Sequence, residues 1–189
     1  MASILIIYDS ESDRRFTESS VKYVQQGVER VSGMEVRVRH VDDAKTEDVF
    51  WADGIAIGCP THLGGISWKM KKWWDERTPD IWFKTDGKFA VPFTSAGSLG
   101  GGGELTCMSL SIMMMNMGYF VFGITDYVAK KESLHYGAVF AGEPRSEAAI
   151  EACCRAGQRL AEWVGYYMEG RKDLHPLEAK YQRFWELAD

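Results

Sequence analysis

The chain has 189 residues, 46% of them hydrophobic and 26% charged, with a net charge of −5. That length suits one domain with a full core, and the negative balance argues against nucleic acid or an anionic membrane as the main partner. No run approaches the length of a membrane span, and Met1–Tyr8 is too short and unflanked for a signal peptide, so a cytoplasmic protein is expected.

Ile4-Leu5-Ile6-Ile7-Tyr8 is an uninterrupted apolar run, as expected of a central parallel strand buried on both faces. Val21, Val24, Val28 and Val31 then recur at helical spacing, with Gly33 as a stop signal. Met34–Val41 alternates apolar and charged residues, the pattern of a sheet edge. Thr46–Trp51 reads as a short helix and Gly54–Gly58 as the third strand. Ile66, Met70, Trp73 and Trp74 line one side of the next helix, read over Ile66–Glu76, with Lys69, Lys71 and Lys72 largely on the other.

Phe89–Phe93 reads as a fourth strand, with Pro92 near its end or at a bulge because proline cannot donate to the ladder. Leu105, Met108, Ile112 and Met115 stripe a further helix, whose methionine run reads as flexible core filler. Tyr119–Phe122 is expected as a fifth strand, Thr125–Tyr136 as an excursion, and Ala138–Ala141 as a last short strand. Residues from Ile150 to Met168 stripe a long final helix, and a charged, partly helical tail with Phe184 and Trp185 follows. The expected division is a domain over 1–170 and a tail over 171–189. Strands alternating with helices specify a three-layer α/β/α sandwich around a parallel sheet, and the edge-like second strand fits the flavodoxin order 2-1-3-4-5.

Three loops should then meet at the carboxyl edge of the sheet. Asp9–Arg15 opens a helix, where free N–H groups and the dipole favour a phosphate. Ser10 and Ser12 add hydroxyls there, and Arg14 and Arg15 add charge. A solvated helix start is the plainer reading of the two arginines. The second loop is Pro60, Thr61, His62, Leu63, Gly64 and Gly65; the third runs through Thr94, Ser95, Ala96, Gly97 and Ser98 to Gly101. Both are Gly-rich and almost uncharged, which suits a flat heterocycle held by backbone hydrogen bonds. A phosphate at one end and a planar ring at the other describe FMN. His62, His135 and Tyr136 are candidates for the substrate side, with a plain loop the leading reading of the last two. The four cysteines, Cys59, Cys107, Cys153 and Cys154, show no metal spacing, and no metal is expected.

The stretch from Gly58, Gly-Cys-Pro-Thr-His-Leu-Gly-Gly-Ile-Ser-Trp-Lys-Met-Lys-Lys, resembles the Gly-Thr-Pro-Thr-Arg-Phe-Gly-Asn-Met segment of WrbA-type NAD(P)H:quinone oxidoreductases, a flavodoxin-like family. Thr94–Glu104 is similar to that family's Ser-Ser-Thr-Gly-Thr-Gly-Gly-Gly-Gln-Glu loop, and Tyr136-Gly137-Ala138 with Ala141-Gly142 to its late Tyr-Gly-Ala…Ala-Gly segment. The resemblance spans Ile4 to about Met168. It implies non-covalent FMN, two-electron transfer from NAD(P)H to a quinone-type small molecule, and a homo-oligomer, dimer or tetramer, with Trp82 at a subunit contact. The chain departs from the pattern at Asp13, where glycine is usual, at Glu11, and at His62 and Leu63, which replace Arg and Phe. A one-electron carrier of the flavodoxin type and a flavodoxin-fold binding module without flavin are the competing readings.

Overall fold

The computed structural model describes residues 1–177, so Phe184 and Trp185 of the expected tail helix lie outside the described residues. The opening apolar run forms β1 (Ala2–Tyr8), followed by α1 (Phe16–Glu29), β2 (Met34–His40), α2 (Thr46–Trp51), β3 (Gly54–Pro60), α3 (Trp68–Ile81), β4 (Phe89–Ala96), α4 (Gly103–Asn116) and β5 (Phe120–Val121). The main sheet has the order β2-β1-β3-β4-β5, with every pairing parallel. β2 is the half-exposed edge that its alternation calls for.

Side chains of β1 divide the core in two. Ile4 and Ile6 face α1 and the long α5 (Glu147–Glu169), while Leu5 and Ile7 face α2, α3 and α4. All four are fully buried, which is why no polar residue interrupts the run. On the first face, α1 and α5 touch backbone to backbone. A Cβ on Gly27 would stand 1.9 Å from the carbonyl oxygen of Cys154, and one on Gly157 would stand 2.1 Å from that of Val24.

Four features differ from the reading of the sequence. First, α3 begins at Trp68 rather than Ile66 and continues through Pro79 to Ile81, so Thr78–Ile81 is helix rather than connection. The Thr78 hydroxyl donates to the Trp74 carbonyl at 2.8 Å in the turn that the proline weakens.

Second, the fifth strand is split. β5 pairs with Phe89 and Ala90, and β8 (Ala138–Ala141) continues the same edge of β4 beside Phe93–Ala96. Between the two pieces, the excursion forms a small antiparallel hairpin of β6 (Tyr127–Ala129) and β7 (Glu132–Ser133).

Third, Pro92 lies in the middle of β4, not near its end. Its carbonyl faces Gly137, whose Cβ would stand 2.3 Å away, so the missing N–H falls in the gap between β5 and β8. A proline is tolerated there because no neighbouring strand asks it for a hydrogen bond.

Fourth, α4 is turned. Its buried side is Thr106, Cys107, Leu110, Ser111 and Met114, whereas the stripe expected in the core faces outward: Leu105 is 63% exposed, Met108 37%, Ile112 58% and Met115 52%. A helix that is apolar all round carries no periodic signal of which side the sheet takes.

Among the described residues no helix is long and apolar enough to cross a membrane. Replacing Gly27 with alanine should force α1 from α5 and cost about 1–3 kcal/mol, the usual price of overpacking. Urea unfolding of Gly27→Ala against the parent checks this, and an unchanged midpoint would show that the helices shift apart freely.

Candidate functional site

The carboxyl ends of β1, β3 and β4 lie side by side, and the three loops that follow them share one crevice. Asp9 extends β1 by one residue, its N–H donating to the Gly58 carbonyl at 2.9 Å. Its carboxylate is wholly buried and accepts from the hydroxyl of Ser67 at 2.5 Å. Ser67 also caps the start of α3. His40 Nε2, at the end of β2, stands 3.7 Å from the other oxygen of Asp9. The backbone N–H of Asp42 lies 3.2 Å from His40 Nδ1, and the Asp42 carboxylate stands 3.3 Å from the same nitrogen.

In the first loop, Ser10 Oγ accepts from the Glu18 N–H at 3.2 Å and so caps α1 from a distance. The Arg15 N–H closes a turn onto the Ser12 carbonyl, and Arg15 itself is left-handed, with φ 46°. Arg15 pairs with Glu18 at 3.1 Å, and Arg14 lies over the Phe16 ring, 5.9 Å from its centroid. Ser12, Asp13, Arg14 and Arg15 are all exposed at the mouth of the crevice. In the first turn of α1, the N–H groups of Phe16 and Thr17 have no carbonyl in their own helix.

The second loop is a tight hairpin turn. His62 and Gly65 exchange both backbone hydrogen bonds at 3.0 Å, with Leu63 (φ 50°) and Gly64 (φ 77°) at the corner. Two consecutive positive φ values are the mark of a type I′ turn, and a leucine there is unusual. Leu63 is fully exposed at the tip and His62 exposed beside it. Thr61 continues the ladder to the Ser95 carbonyl at 2.8 Å, and its hydroxyl meets that of Thr94 at 3.1 Å.

The third loop leaves β4 at Ala96 and exposes Gly97, Ser98, Leu99 and Gly100. Gly101 N–H turns back to the Ser98 carbonyl at 3.1 Å. The second and third loops touch: a Cβ on Gly102 would stand 2.8 Å from the Gly64 Cα. Thr106 of α4 secures the contact, its hydroxyl lying 3.3 Å from the Gly65 carbonyl and 3.2 Å from that of Gly102.

The structure therefore brings Pro60–Gly65 together with Thr94–Gly101, and sets Ser10 to Arg15 beside them. It does not bring in His135 and Tyr136. They precede the amino end of β8, and about 10 Å of strand separates that end from the crevice. His135 Nδ1 is held by the Ile124 carbonyl at 3.1 Å. The excursion rests on α5 instead, through Asp126 with Arg155 (2.7 Å) and Arg159 (3.0 Å). The sequence reading put Asp9 at the head of the first loop without a role, and missed Thr17, Ser67 and Thr106, the other buried polar groups beneath the loops. Thr17 Oγ1 meets Ser95 Oγ at 2.8 Å, tying α1 to β4. Asp9 did leave a signal, a carboxylate directly after a buried apolar strand.

No family model matches the chain. A flavodoxin of Aquifex aeolicus is 52% identical over 174 residues, covering 92% of this chain and 93% of its own. The chain belongs to the flavodoxin family. An NAD(P)H dehydrogenase (quinone) of Aromatoleum aromaticum is 33% identical over 113 residues, 59% of this chain and 53% of its own. Among solved structures, a flavodoxin, WrbA-like protein from Agrobacterium tumefaciens superposes with a TM-score of 0.67 at 22% identity, covering 87% of this chain and 98% of that one.

FMN is the cofactor of flavodoxins, and the residues present fit it. A Cβ built on Gly64, Gly97 or Gly100 would meet nothing within 4 Å, so these backbones border open space rather than protein. The donors offered are backbone N–H groups, hydroxyls and a helix start, with no buried charge at the loop tips.

Burial pushes the Cys59 thiol, beneath the crevice, up from 9.0 to about 11, and raises those of Cys107 and Cys153 in the same direction. A folded-state value above the unfolded one means stability that is complete below pH 9.0 and lost as pH rises through 11. The urea midpoint should fall across that window. A flat profile would show that the thiols ionise inside the fold. Separately, Thr17→Val should strand the buried Ser95 hydroxyl and cost about 1–3 kcal/mol, whereas Thr17→Ser should recover most of it; equal losses for both in thermal unfolding would mean the hydroxyl pair is not what matters.

Proposed function

We propose that this protein is a cytoplasmic FMN flavoprotein that carries two electrons from NAD(P)H to a quinone-type small molecule and works as a homo-oligomer. The observation that carries the FMN assignment is the convergence of the two glycine loops, Gly64 against Gly102, over open space at one end of the α1 start. Ser10, Ser12, Asp13, Arg14 and Arg15 would lie around the phosphate, with the Phe16 and Thr17 N–H groups as its backbone donors. Pro60–Gly65 and Thr94–Gly101 would hold the ring.

When bound, FMN supplies the redox chemistry, for which the balance is NAD(P)H, a proton and a quinone giving NAD(P)⁺ and a hydroquinone. The chain's own part is placement. The backbone of the second and third loops orients the ring and offers N–H groups where negative charge develops. The exposed and uncharged Leu63 and Leu99 border the mouth, a surface that suits a flat apolar acceptor. His62, exposed at the same mouth, would donate a hydrogen bond to an acceptor oxygen. The partial likeness to an NAD(P)H dehydrogenase (quinone) supports the same reading.

A second reading, the one-electron carrier, is favoured by the whole-length likeness to a flavodoxin and by the distance of His135 and Tyr136 from the crevice. Stopped-flow mixing of the FMN-loaded protein with NAD(P)H and benzoquinone separates the two. Fast NAD(P)H oxidation is expected, and no reaction with NAD(P)H would leave the carrier.

Titrating the apoprotein with FMN should quench flavin fluorescence; no quenching would sink both readings and leave a binding module without flavin. The Arg14→Ala, Arg15→Ala double variant should weaken FMN by about 1.5–3 kcal/mol for each hydrogen bond to charge that is lost, while riboflavin, which lacks the phosphate, keeps its affinity. An equal loss for both ligands would place the arginines elsewhere.

A further inference from the structure

The outward face of α4 has nothing over it in a single copy. Leu105, Met108, Ile112 and Met115 stand on it, and all four are exposed. From Leu105 to Asn116 the helix carries no charged side chain. Trp82 and Phe83, exposed at the end of α3, extend the apolar surface: Trp82 lines a groove of about 500 Å³ with Ile112 and Met113, bordered by the Lys71–Asp75 ion pair, and Phe83 lies beside Met115. A contiguous apolar surface of this kind marks an interaction site.

We propose that this face is the two-fold interface with a second copy of the chain, formed by antiparallel packing of α4 on α4. The proposal deepens the homo-oligomer reading above and is independent of the flavin reading. Two observations select a second copy over another protein. The first is the spacing. The four residues are separated by three, four and three positions, a pattern that reads the same in both directions. About a dyad at position 110, Leu105 therefore meets the partner's Met115, and Met108 meets the partner's Ile112. Three-and-four spacing is also what keeps side chains on one helix face. Ser109, small and half-buried, lies next to the dyad and allows close approach of the helix axes.

The second observation is charge. An isologous interface sets each group near its own image, so a charged patch repels itself and a charge-free one does not. A redox protein recruited by electrostatic complementarity needs a patch of one charge sign; here α4 itself carries no charge from Leu105 to Asn116, and at the margin of the groove Lys71 is paired with Asp75 at 2.5 Å. The interface core of homodimers is apolar, depleted of charge and enriched in methionine and aromatic residues, as here.

Sedimentation velocity tests this with the parent, Met108→Glu with Ile112→Glu, and Met108→Lys with Ile112→Glu. The parent should be a dimer at micromolar concentration, with little dependence on salt. The double-Glu variant should be a monomer, its dimer weakened by on the order of a hundredfold or more because like charges face each other across the dyad. The Lys/Glu variant should recover the dimer, since the antiparallel register sets the introduced lysine of each copy against the introduced glutamate of the other. Both substituted positions are exposed, and an unchanged circular dichroism spectrum and FMN quench confirm an intact fold.

A parent that is monomeric at high micromolar concentration overturns this proposal and the oligomer reading together. A double-Glu variant that stays dimeric overturns the interface but leaves the oligomer. A monomeric Lys/Glu variant overturns the antiparallel register. None of these outcomes bears on FMN binding, which the quench reads separately.

Discussion

The buried carboxylate of Asp9 fixes the geometry on which the crevice depends. It ends β1 with no exposure to water, takes the Ser67 hydroxyl at 2.5 Å, and so ties the central strand to the first turn of α3. A charge in a dry interior is costly unless hydrogen-bonded. Among the described residues only one of the Asp9 oxygens has a hydrogen-bond partner, so loosening the Ser67 contact would leave both oxygens of a buried carboxyl unsatisfied. The second loop is held between this anchor and β3, and its tight turn has little room to choose another shape. Thr17 with Ser95 and Thr106 with Gly65 act in the same way on the other loops. Polar groups beneath, and glycine backbone above, make a rigid floor with an adaptable rim.

Two of the three non-glycine residues in the left-handed region, Arg15 and Leu63, stand in loops that face the crevice; the third, Phe83, follows α3 away from it. Such positions persist only where the surroundings determine them. Arg15 is held by its turn onto Ser12 and by the start of α1; Leu63 is held by the paired hydrogen bonds of His62 and Gly65. A loop free to relax would move such residues out of the left-handed region. The strain is consistent with tips kept in place to meet something other than protein.

What the sequence disclosed follows from which signals are local. β1, α2 and β3 are plain in the chain because a both-sides-buried strand is a continuous apolar run and a short helix has its own flanks. The order of the strands followed from one alternating edge strand, β2. The second and third loops were legible because paired glycines after a buried strand have few other uses. The split of the fifth strand was not legible: β5 and β8 are separate in sequence and share one edge of β4 only in space. With that register, His135 and Tyr136 precede the amino end of β8, as the plain-loop reading of them has it. Pro92 was the available clue. A proline amid a buried strand asks for a gap beside it, and the gap is where β5 hands over to β8.

The orientation of α4 was hidden for a different reason. Its buried side must fill the space over β4, which Leu110 and Met114 do, while Gly103 at its start packs so closely on Val139 that a Cβ would come within 2.4 Å. Thr106 must reach the second loop. These demands fix the helix about its axis, and Leu105, Met108, Ile112 and Met115 are what remains on the other side. Had that side been left to water, charged residues at exposed helix positions would have marked it, as Lys69, Lys71 and Lys72 mark α3. The lack of such marking is what misled the sequence reading: with apolar residues on both sides of α4, no periodic signal says which side the sheet takes.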